Sequence, residues 1–260
     1  MRKTFPELRL MKLNSKQLQQ MHDDGYLVLK GMLPRVMVDA ARQAINHHIG
    51  EYGMPPDELN TYRAQTYCRS ITKEPALTDL FNKTPVFAVC EQLVGEGNLL
   101  PAPSAQIALR FPRADTEPQE PHGHIDGQGT GTNGIPRGEF ARSFTMLAVV
   151  LLPNLPKPYS GNFTVWPGTH RQFETVFKEK GPAYLADGIG AVELCSEPVQ
   201  ITGEPGDVVI THHQLVHTAV ANSCPDIRCA AIFRGRHKDA EQNGVAAMTD
   251  IWREWEGVTA

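Results

Sequence analysis

The sequence predicts an α+β protein in which helices come first and many short strands follow. Helical periodicity and capping signals predominate in residues 14–95, whereas short apolar and β-branched runs separated by turn residues predominate in 101–235. Long helices do not alternate with strands, which argues against a doubly wound parallel sheet. We therefore expect an N-terminal helical layer, then a β-sandwich or barrel, then a helical tail at about 240–258.

Composition indicates one folded domain, residues 1–260, because β-sandwiches and barrels often reach this length. The chain is 41% hydrophobic and 21% charged, and its net charge of −4 gives no reason to expect nucleic acid as a partner. No apolar run reaches the roughly 18 residues of a membrane span, and the first residues lead into no signal peptide. Five cysteines without C-x-x-C spacing predict reduced thiols. We expect a cytoplasmic monomer or homodimer without a membrane partner.

The N-terminal elements follow from caps and periodicity. Asn14 or Ser15 can cap a helix that Gly25 ends, and an apolar strand follows at 26–31. Pro34 opens a longer helix to about residue 49, and residues 50–75 are expected to be irregular. Two short helices are predicted at 75–83 and 85–94.

The later elements are predicted from short apolar runs bounded by turn residues. Strands are expected at 104–111, 143–152, 162–166, 206–211 and 227–233. Helices are expected at 170–178 and around 251–255.

A short motif, His124-Ile125-Asp126, lies between the first and the second of these later strands. Side chains at i and i+2 of an extended strand share a face, so His124 and Asp126 would point to a common place. Two histidines and one carboxylate with open positions form the metal site of non-haem Fe(II) oxygenases. The motif alone equally fits a His–Asp hydrogen bond at a strand end. His122 either supports the site, contacts a substrate or faces solvent.

Three later histidines are candidates for the third ligand: His212, His213 and His217. Arg228 follows His217 by eleven residues, with a turn at 222–225 between them. We expect an antiparallel strand to return beside the histidine strand and bring Arg228 into the same cavity. A buried guanidinium binds a carboxylate well, so a metal-chelating dicarboxylate such as 2-oxoglutarate would satisfy both groups. The alternative is a surface salt bridge between Arg228 and Asp207 or Asp226.

A glycine-rich segment at 127–134 superficially resembles a phosphate loop, but it lacks the Gly-Lys-Ser/Thr ending. We expect residues 127–141 to form a connecting loop or a lid. Four arginines flank the His/Asp motif along the chain: Arg110, Arg113, Arg137 and Arg142. They form either a binding patch for a carboxylate, phosphate or CoA group, or a solvated rim.

Four segments carry a resemblance to a known family. They are residues 18–31, His124-Ile125-Asp126, residues 162–171 with their Pro-Gly-Thr-His-Arg, and Gly206-Asp207 followed by His217, Asn222 and Arg228. In this order they resemble the phytanoyl-CoA dioxygenase family of Fe(II)/2-oxoglutarate oxygenases, over about residues 15–235. The resemblance implies a double-stranded β-helix, a jelly-roll or cupin-like barrel flanked by mostly N-terminal helices.

The resemblance also implies site residues. Fe(II) would be bound by His124, Asp126 and His217, and Arg228 would bind the distal carboxylate of the cosubstrate 2-oxoglutarate. Gln106 lies near a position that contacts the cosubstrate in relatives. Relatives often carry serine two residues after the distal histidine, where this chain has Ala219. A hydroxyl contact would then come from Thr218 or Thr145. His170 is expected to be structural, whereas His212 and His213 are expected to lie beside the barrel rim and not to be ligands.

The implied activity is oxidation of a C–H bond in a small molecule, with O2 as oxidant and release of succinate and CO2. The outcome could be hydroxylation, desaturation, cyclisation or epimerisation, and an anionic substrate would suit the arginines. Two other functions remain open: a cupin-like metal-dependent isomerase or hydrolase, and a non-catalytic metal- or ligand-binding barrel.

Overall fold

A computed structural model describes residues 11–55, 66–113, 119–131, 133–190 and 192–258. Part of the irregular stretch predicted at 50–75 lies outside the described residues. The seven α-helices found in these ranges are α1 (Ser15–Asp24), α2 (Arg35–Tyr52), α3 (Pro75–Asn82), α4 (Pro85–Val94), α5 (Thr169–Lys180), α6 (Ala240–Asn243) and α7 (Ala246–Thr249). Short 3-10 helices cover Arg69–Ile71 and Pro182–Asp187.

The first helix confirms the predicted caps. The Asn14 side chain accepts a hydrogen bond from the Gln17 backbone N–H, and the Gln17 side chain accepts one from the Asn14 backbone N–H. Gly25 ends the helix at φ 77°, in the left-handed region that glycine adopts without strain. The chain therefore enters the first strand at the predicted place.

The strands form two antiparallel sheets. They are β1 (Tyr26–Leu29), β2 (Leu99–Leu100), β3 (Gln106–Arg110), β4 (Met146–Leu151), β5 (Phe163–Val165), β6 (Val199–Gln200), β7 (Val208–His212), β8 (His217–Ala219) and β9 (Arg228–His237). The larger sheet has the order β1-β7-β4-β9-β2, with β3 also paired to β9, and the smaller has the order β6-β5-β8. Helices therefore flank a two-sheet region, as the α+β prediction required.

One predicted pairing is wrong. The strand that carries Arg228 was expected to lie beside the strand that carries His217. Instead, β9 pairs with β3 and β4, whereas β8 pairs with β5 in the other sheet. The turn after β8 is a crossing between sheets and not a hairpin. The two side chains consequently reach the same cavity from different sheets.

Strand β4 is buried on both faces, which accounts for its continuously apolar sequence. Its residues Met146, Ala148 and Val150 belong to the core that packs under the N-terminal helices. Its alternate residues Leu147 and Val149 pack with the smaller sheet. Successive strand side chains point to opposite faces, so one strand contributes to two cores.

The C-terminal segment differs from its prediction. A helix was expected around 251–255, but the described chain makes two four-residue helices, α6 and α7, and then a series of turns. Trp255 is fully buried and stacks on His212, with 5.1 Å between ring centroids. Tertiary packing of such short segments overrides weak helical propensity. Among the described residues, no helix is both long and apolar enough to cross a membrane.

Candidate metal centre and ligand cavity

The structure brings the three predicted metal ligands together. His124 and His217 form an isolated antiparallel bridge, and Asp126 follows in a turn. His124 Nε2 lies 3.3 Å and His217 Nε2 lies 3.8 Å from Asp126 Oδ1. One ligand atom from each residue falls within 4.8 Å of the others, which suits a single metal ion. The expected strand is reduced to one bridge, yet both side chains still converge.

Packing around the motif fixes this arrangement. Ile125, between the two ligands, is buried in an apolar cluster with Trp166 and Val216. Gly123 lies against the same cluster, where an added Cβ would come within 2.4 Å of the Val216 side chain. A larger residue at 123 would displace the bridge. The buried Ile125 therefore holds the chain so that its neighbours face the cavity.

The protonation states suit metal binding. Burial favours a higher pKa for Asp126, but the hydrogen bond from His124 and the charge of Arg234 outweigh it, so the pKa is well below its usual range. Burial and the neighbouring His124 lower the pKa of His217 to about 4. His217 Nδ1 is 2.9 Å from the Leu215 carbonyl and donates to it, which leaves Nε2 as the free lone pair. An ionised carboxylate and neutral imidazole are the forms that bind metals.

Arg228 is buried in the same cavity, with 2% of its surface exposed. Its Nη1 donates to the Ala108 carbonyl at 3.5 Å, but no described residue accepts from Nε or Nη2. Burial, followed by the charge of Arg110, lowers its pKa to about 9, so it remains charged at neutral pH. Among the described residues, Arg228 is buried and forms no ion pair with Asp226 or with Asp207, which pairs with Lys30 at 2.9 Å, so the surface salt bridge considered for Arg228 is wrong.

The cavity has a volume of about 540 Å³. Polar and charged lining residues include Gln106, Arg110, Arg113, Glu120, His122, Thr218, Arg228 and Arg234, and apolar ones include Leu147, Phe163 and Ile232. A partly apolar cavity of this size with a few convergent polar groups is typical of a small-molecule site. His122 is exposed and lines the cavity, so it is accessible both to solvent and to a bound small molecule.

The structure contradicts the role predicted for Thr145. Its side chain is fully buried away from the cavity, donates to Glu254 and accepts from the His237 backbone N–H. Thr145 precedes β4, so the strand alternation that points Leu147 toward the cavity does not extend to it. Thr218, by contrast, lines the cavity.

Arg142 is neither a solvated rim residue nor a cavity residue. Its guanidinium forms a bidentate ion pair with Glu254, and the two side chains are 4% and 1% exposed. Its Nε donates to His213 Nε2 at 3.1 Å. Sequence reasoning missed Glu254; its only signal was a charged residue beside two tryptophans in the C-terminal segment.

Three other histidines, His170, His212 and His213, lie outside the candidate metal cluster and contact the surrounding protein. His170 Nε2 bonds the His22 carbonyl, and His212 Nε2 bonds the Ile251 carbonyl. His212 and His213 are 0% and 5% exposed, so they lie beneath the C-terminal segment and not at an open rim. Burial lowers the pKa of all three, to about 4 for His170.

The glycine-rich segment is a folded loop. Gly129 donates to the Glu139 carbonyl and Gly131 to the Ile135 carbonyl, while Arg137 Nε donates to the Thr130 carbonyl. An added Cβ at Gly129 would lie 1.8 Å from a backbone oxygen, so glycine is required there. The loop leads into β4 and not into a helix, which excludes a phosphate loop.

Arg234 is the second residue that sequence reasoning missed. Its Nη2 donates to Asp126 Oδ2 at 3.0 Å, and its Nη1 donates to Gln106 Oε1 at 2.6 Å. The available signal was spacing, because Arg234 lies six residues after Arg228 and therefore on the same face of one strand. The oxygen of Gln106, predicted to contact a cosubstrate, is thus engaged by Arg234.

Comparison with known proteins supports the fold assignment. No protein-family model and no curated protein matches the sequence. Among solved structures, the carbocyclase SnoK from nogalamycin biosynthesis, a non-haem α-ketoglutarate-dependent enzyme, is 19% identical with a TM-score of 0.61. That match covers 89% of this chain and 90% of SnoK.

Two further similar structures were solved with relevant ligands. HygX from Streptomyces hygroscopicus, with nickel and 2-oxoglutarate bound, is 17% identical with a TM-score of 0.56 over 86% of each chain. EctD from S. alaskensis, with bound Fe, is 16% identical with a TM-score of 0.54 over 86% of this chain and 76% of EctD. The chain therefore has the fold found in enzymes that depend on iron and 2-oxoglutarate.

Proposed function

We propose that this protein is a non-haem Fe(II)- and 2-oxoglutarate-dependent dioxygenase that oxidises a C–H bond of a small molecule. The observation that carries the proposal is one cavity containing both a His-Asp-His cluster and a buried arginine without a carboxylate partner among the described residues. A 2-oxo dicarboxylate matches both groups, because one end chelates a metal and the other accepts from a guanidinium. The resemblance to the phytanoyl-CoA dioxygenase family and the structural neighbours add support.

The residues have distinct roles in this proposal. His124, Asp126 and His217 would hold Fe(II), and Arg228 would bind the distal carboxylate of 2-oxoglutarate. When bound, Fe(II) and 2-oxoglutarate supply the oxidising power from O2, with succinate and CO2 as coproducts. Thr218 would donate its hydroxyl to the cosubstrate, and its position in the cavity lining supports this role. The apolar side chains of Leu147, Phe163 and Ile232 exclude water from part of the cavity.

The fold proposed for this activity is a double-stranded β-helix with flanking helices, acting as one domain in a cytoplasmic monomer or homodimer. Substrates would enter past His122 and Arg113, and the arginine favours an anionic group. The neighbours include a carbocyclase and an epimerase, so the product class is not restricted to alcohols. Assays should therefore read a coproduct common to all these outcomes.

Succinate formation is that readout. The protein is incubated with Fe(II), ascorbate and 2-oxoglutarate under air, with and without a library of small molecules. We expect the wild-type protein to form succinate only in the presence of O2, and we expect His124→Ala and Asp126→Ala to abolish this formation. His47→Ala, which changes an exposed histidine on α2, should leave succinate formation unchanged. Turnover that persists without O2 and 2-oxoglutarate would instead support a metal-dependent isomerase or hydrolase. Metal binding without any turnover would support a binding barrel.

A further inference from the structure

Arg234 makes two directed contacts with residues of the cavity. It lies on β9, and its guanidinium contacts Asp126 through Nη2 and Gln106 through Nη1. The guanidinium also lies 5.5 Å from the ring centroid of Phe144. Three neighbours therefore determine where this flexible side chain rests.

These contacts divide the two oxygens of Asp126. Oδ1 is the oxygen near both imidazoles, 3.3 Å from His124 Nε2 and 3.8 Å from His217 Nε2. Oδ2 accepts the hydrogen bond from Arg234 at 3.0 Å. Only one carboxylate oxygen is thus directed toward the place where a metal ion would lie.

We propose that Arg234, oriented by Gln106, is a positioning residue that keeps Asp126 a single-oxygen metal ligand. This inference rests on the proposed function. A facial site works because half of its positions are open, and a carboxylate that turned to give both oxygens would fill one of them. A chelating 2-oxo acid needs two of those positions. Hydrogen bonds to the outer atoms of metal ligands hold ligands in their productive orientation elsewhere.

The test compares Arg234→Met and Arg234→Lys with Arg236→Met as a matched control. Arg236 is exposed on the same strand, two residues further on, and donates to the Ser143 carbonyl. Each protein is loaded with Co(II), whose visible absorption depends on coordination number, in the absence of any other ligand. We expect the Arg234→Met spectrum to differ from wild type, the lysine variant to lie close to wild type, and the Arg236 variant to match it.

A second readout is the binding of 2-oxoglutarate to the Co(II) proteins. Removing an outer partner of a metal ligand typically costs about 10- to 100-fold in metal affinity or activity, and we expect Arg234→Met to raise the Kd for 2-oxoglutarate by a similar factor. Should Arg234→Met fold poorly, Gln106→Leu provides the same test, because it removes the hydrogen bond that Arg234 Nη1 donates to Gln106. We expect a smaller change in the same direction.

The outcomes separate this inference from the function that it rests on. Wild-type protein that binds Co(II) and 2-oxoglutarate, with Arg234→Met giving the same spectrum and Kd, would overturn the role of Arg234 alone. Wild-type protein that binds Co(II) but not 2-oxoglutarate would overturn the proposed function. In that case the Co(II) spectra would still test whether Arg234 positions Asp126. Failure to bind Co(II) through His124, Asp126 and His217 would overturn both.

Discussion

Arg142 and Arg228 are both buried, but their surroundings differ. Arg142 has a bidentate carboxylate partner, Glu254, which also accepts from Thr145 and Asn243. Arg228 has one carbonyl contact, at 3.5 Å, and two nitrogens that no described side chain satisfies. Its nearest like charge, Arg110, stands directly opposite on β3. One buried arginine thus has all its hydrogen-bonding needs met within the protein, whereas the other does not. This difference indicates that the two arginines have different roles.

The difference has an energetic meaning. A buried ion pair stabilises the fold only as a pair, and removing one partner typically costs about 3–5 kcal/mol. A buried charge without a partner destabilises the fold until a ligand supplies one. The Arg142–Glu254 pair is therefore structural, connecting the C-terminal segment to the loop after Asp126. Arg228 has two buried nitrogens with no partner among the described residues, and the proposed function assigns them to a ligand carboxylate.

The substitution Arg228→Met is expected to have the largest effect on activity. Losing a buried charged hydrogen bond to a ligand typically costs 2–5 kcal/mol, so we expect kcat/KM for 2-oxoglutarate to fall roughly 100-fold or more. The free energy of unfolding without ligand should stay equal or rise, because an unpaired buried charge is removed. Steady-state succinate assays and urea unfolding check the two parts. A strongly destabilised variant would mean that Arg228 has a structural partner after all.

Glu254→Ala should show the opposite pattern. We expect the free energy of unfolding to fall by about 3–5 kcal/mol, since Arg142 is left buried without its carboxylate. The Kd for 2-oxoglutarate should remain within about twofold of wild type wherever the variant is folded. Arg253→Ala is the matched control, because Arg253 forms an exposed pair with Asp250. Exposed pairs contribute about 0–1 kcal/mol.

The same pair predicts a dependence of stability on pH. Burial acts to raise the pKa of Glu254, but the hydrogen bonds and charge of Arg142 outweigh it, so the pKa in the folded protein is lowered. A lowered pKa stabilises the fold above the unfolded-state value, about 4.3 for glutamate, and that stabilisation is lost as the pH falls toward the folded value. We expect wild type to lose more stability than Glu254→Gln between neutral pH and this acidic range. Urea titrations across the range measure it, and parallel profiles would contradict the prediction.

The smallest effects separate the two threonines. Thr218→Val should raise the Kd for 2-oxoglutarate about 2- to 10-fold, the loss of one hydrogen bond, with little change in stability. Thr145→Val should leave that Kd unchanged but lower the free energy of unfolding by about 1–3 kcal/mol, because Glu254 and the His237 N–H each lose a partner. Binding and unfolding measurements on both variants test this difference. The same change in Kd and in stability for both variants would contradict it.

The same comparison shows what could be predicted from the sequence. His124, Asp126, His217 and Arg228 were found because motif spacing and order along the chain carry the signal. Their convergence is confirmed, although the expected hairpin is a crossing between two sheets. Chain spacing says which residues are near in sequence, and it does not say which strands become neighbours.

The missed residues depend on such neighbours. Glu254 meets Arg142 across 112 positions of the chain, and Arg234 meets Asp126 across 108. No local periodicity encodes either contact. Thr145 was misassigned for a related reason, because its partners, Glu254 and the His237 backbone N–H, are also distant along the chain. Helices α1 to α5 were predicted well, since caps and glycine or proline boundaries are local signals.

One measurement tests most directly whether Arg228 receives a ligand carboxylate. Anaerobic Fe(II)-loaded wild type and Arg228→Met are each titrated with 2-oxoglutarate and with 2-oxobutyrate, which lacks the distal carboxylate. The four affinities form a cycle that isolates the interaction between that carboxylate and Arg228. We predict that wild type prefers 2-oxoglutarate by about 100-fold and that Arg228→Met loses this preference. A preference that survives in Arg228→Met, or wild type that binds both acids equally, would contradict the account.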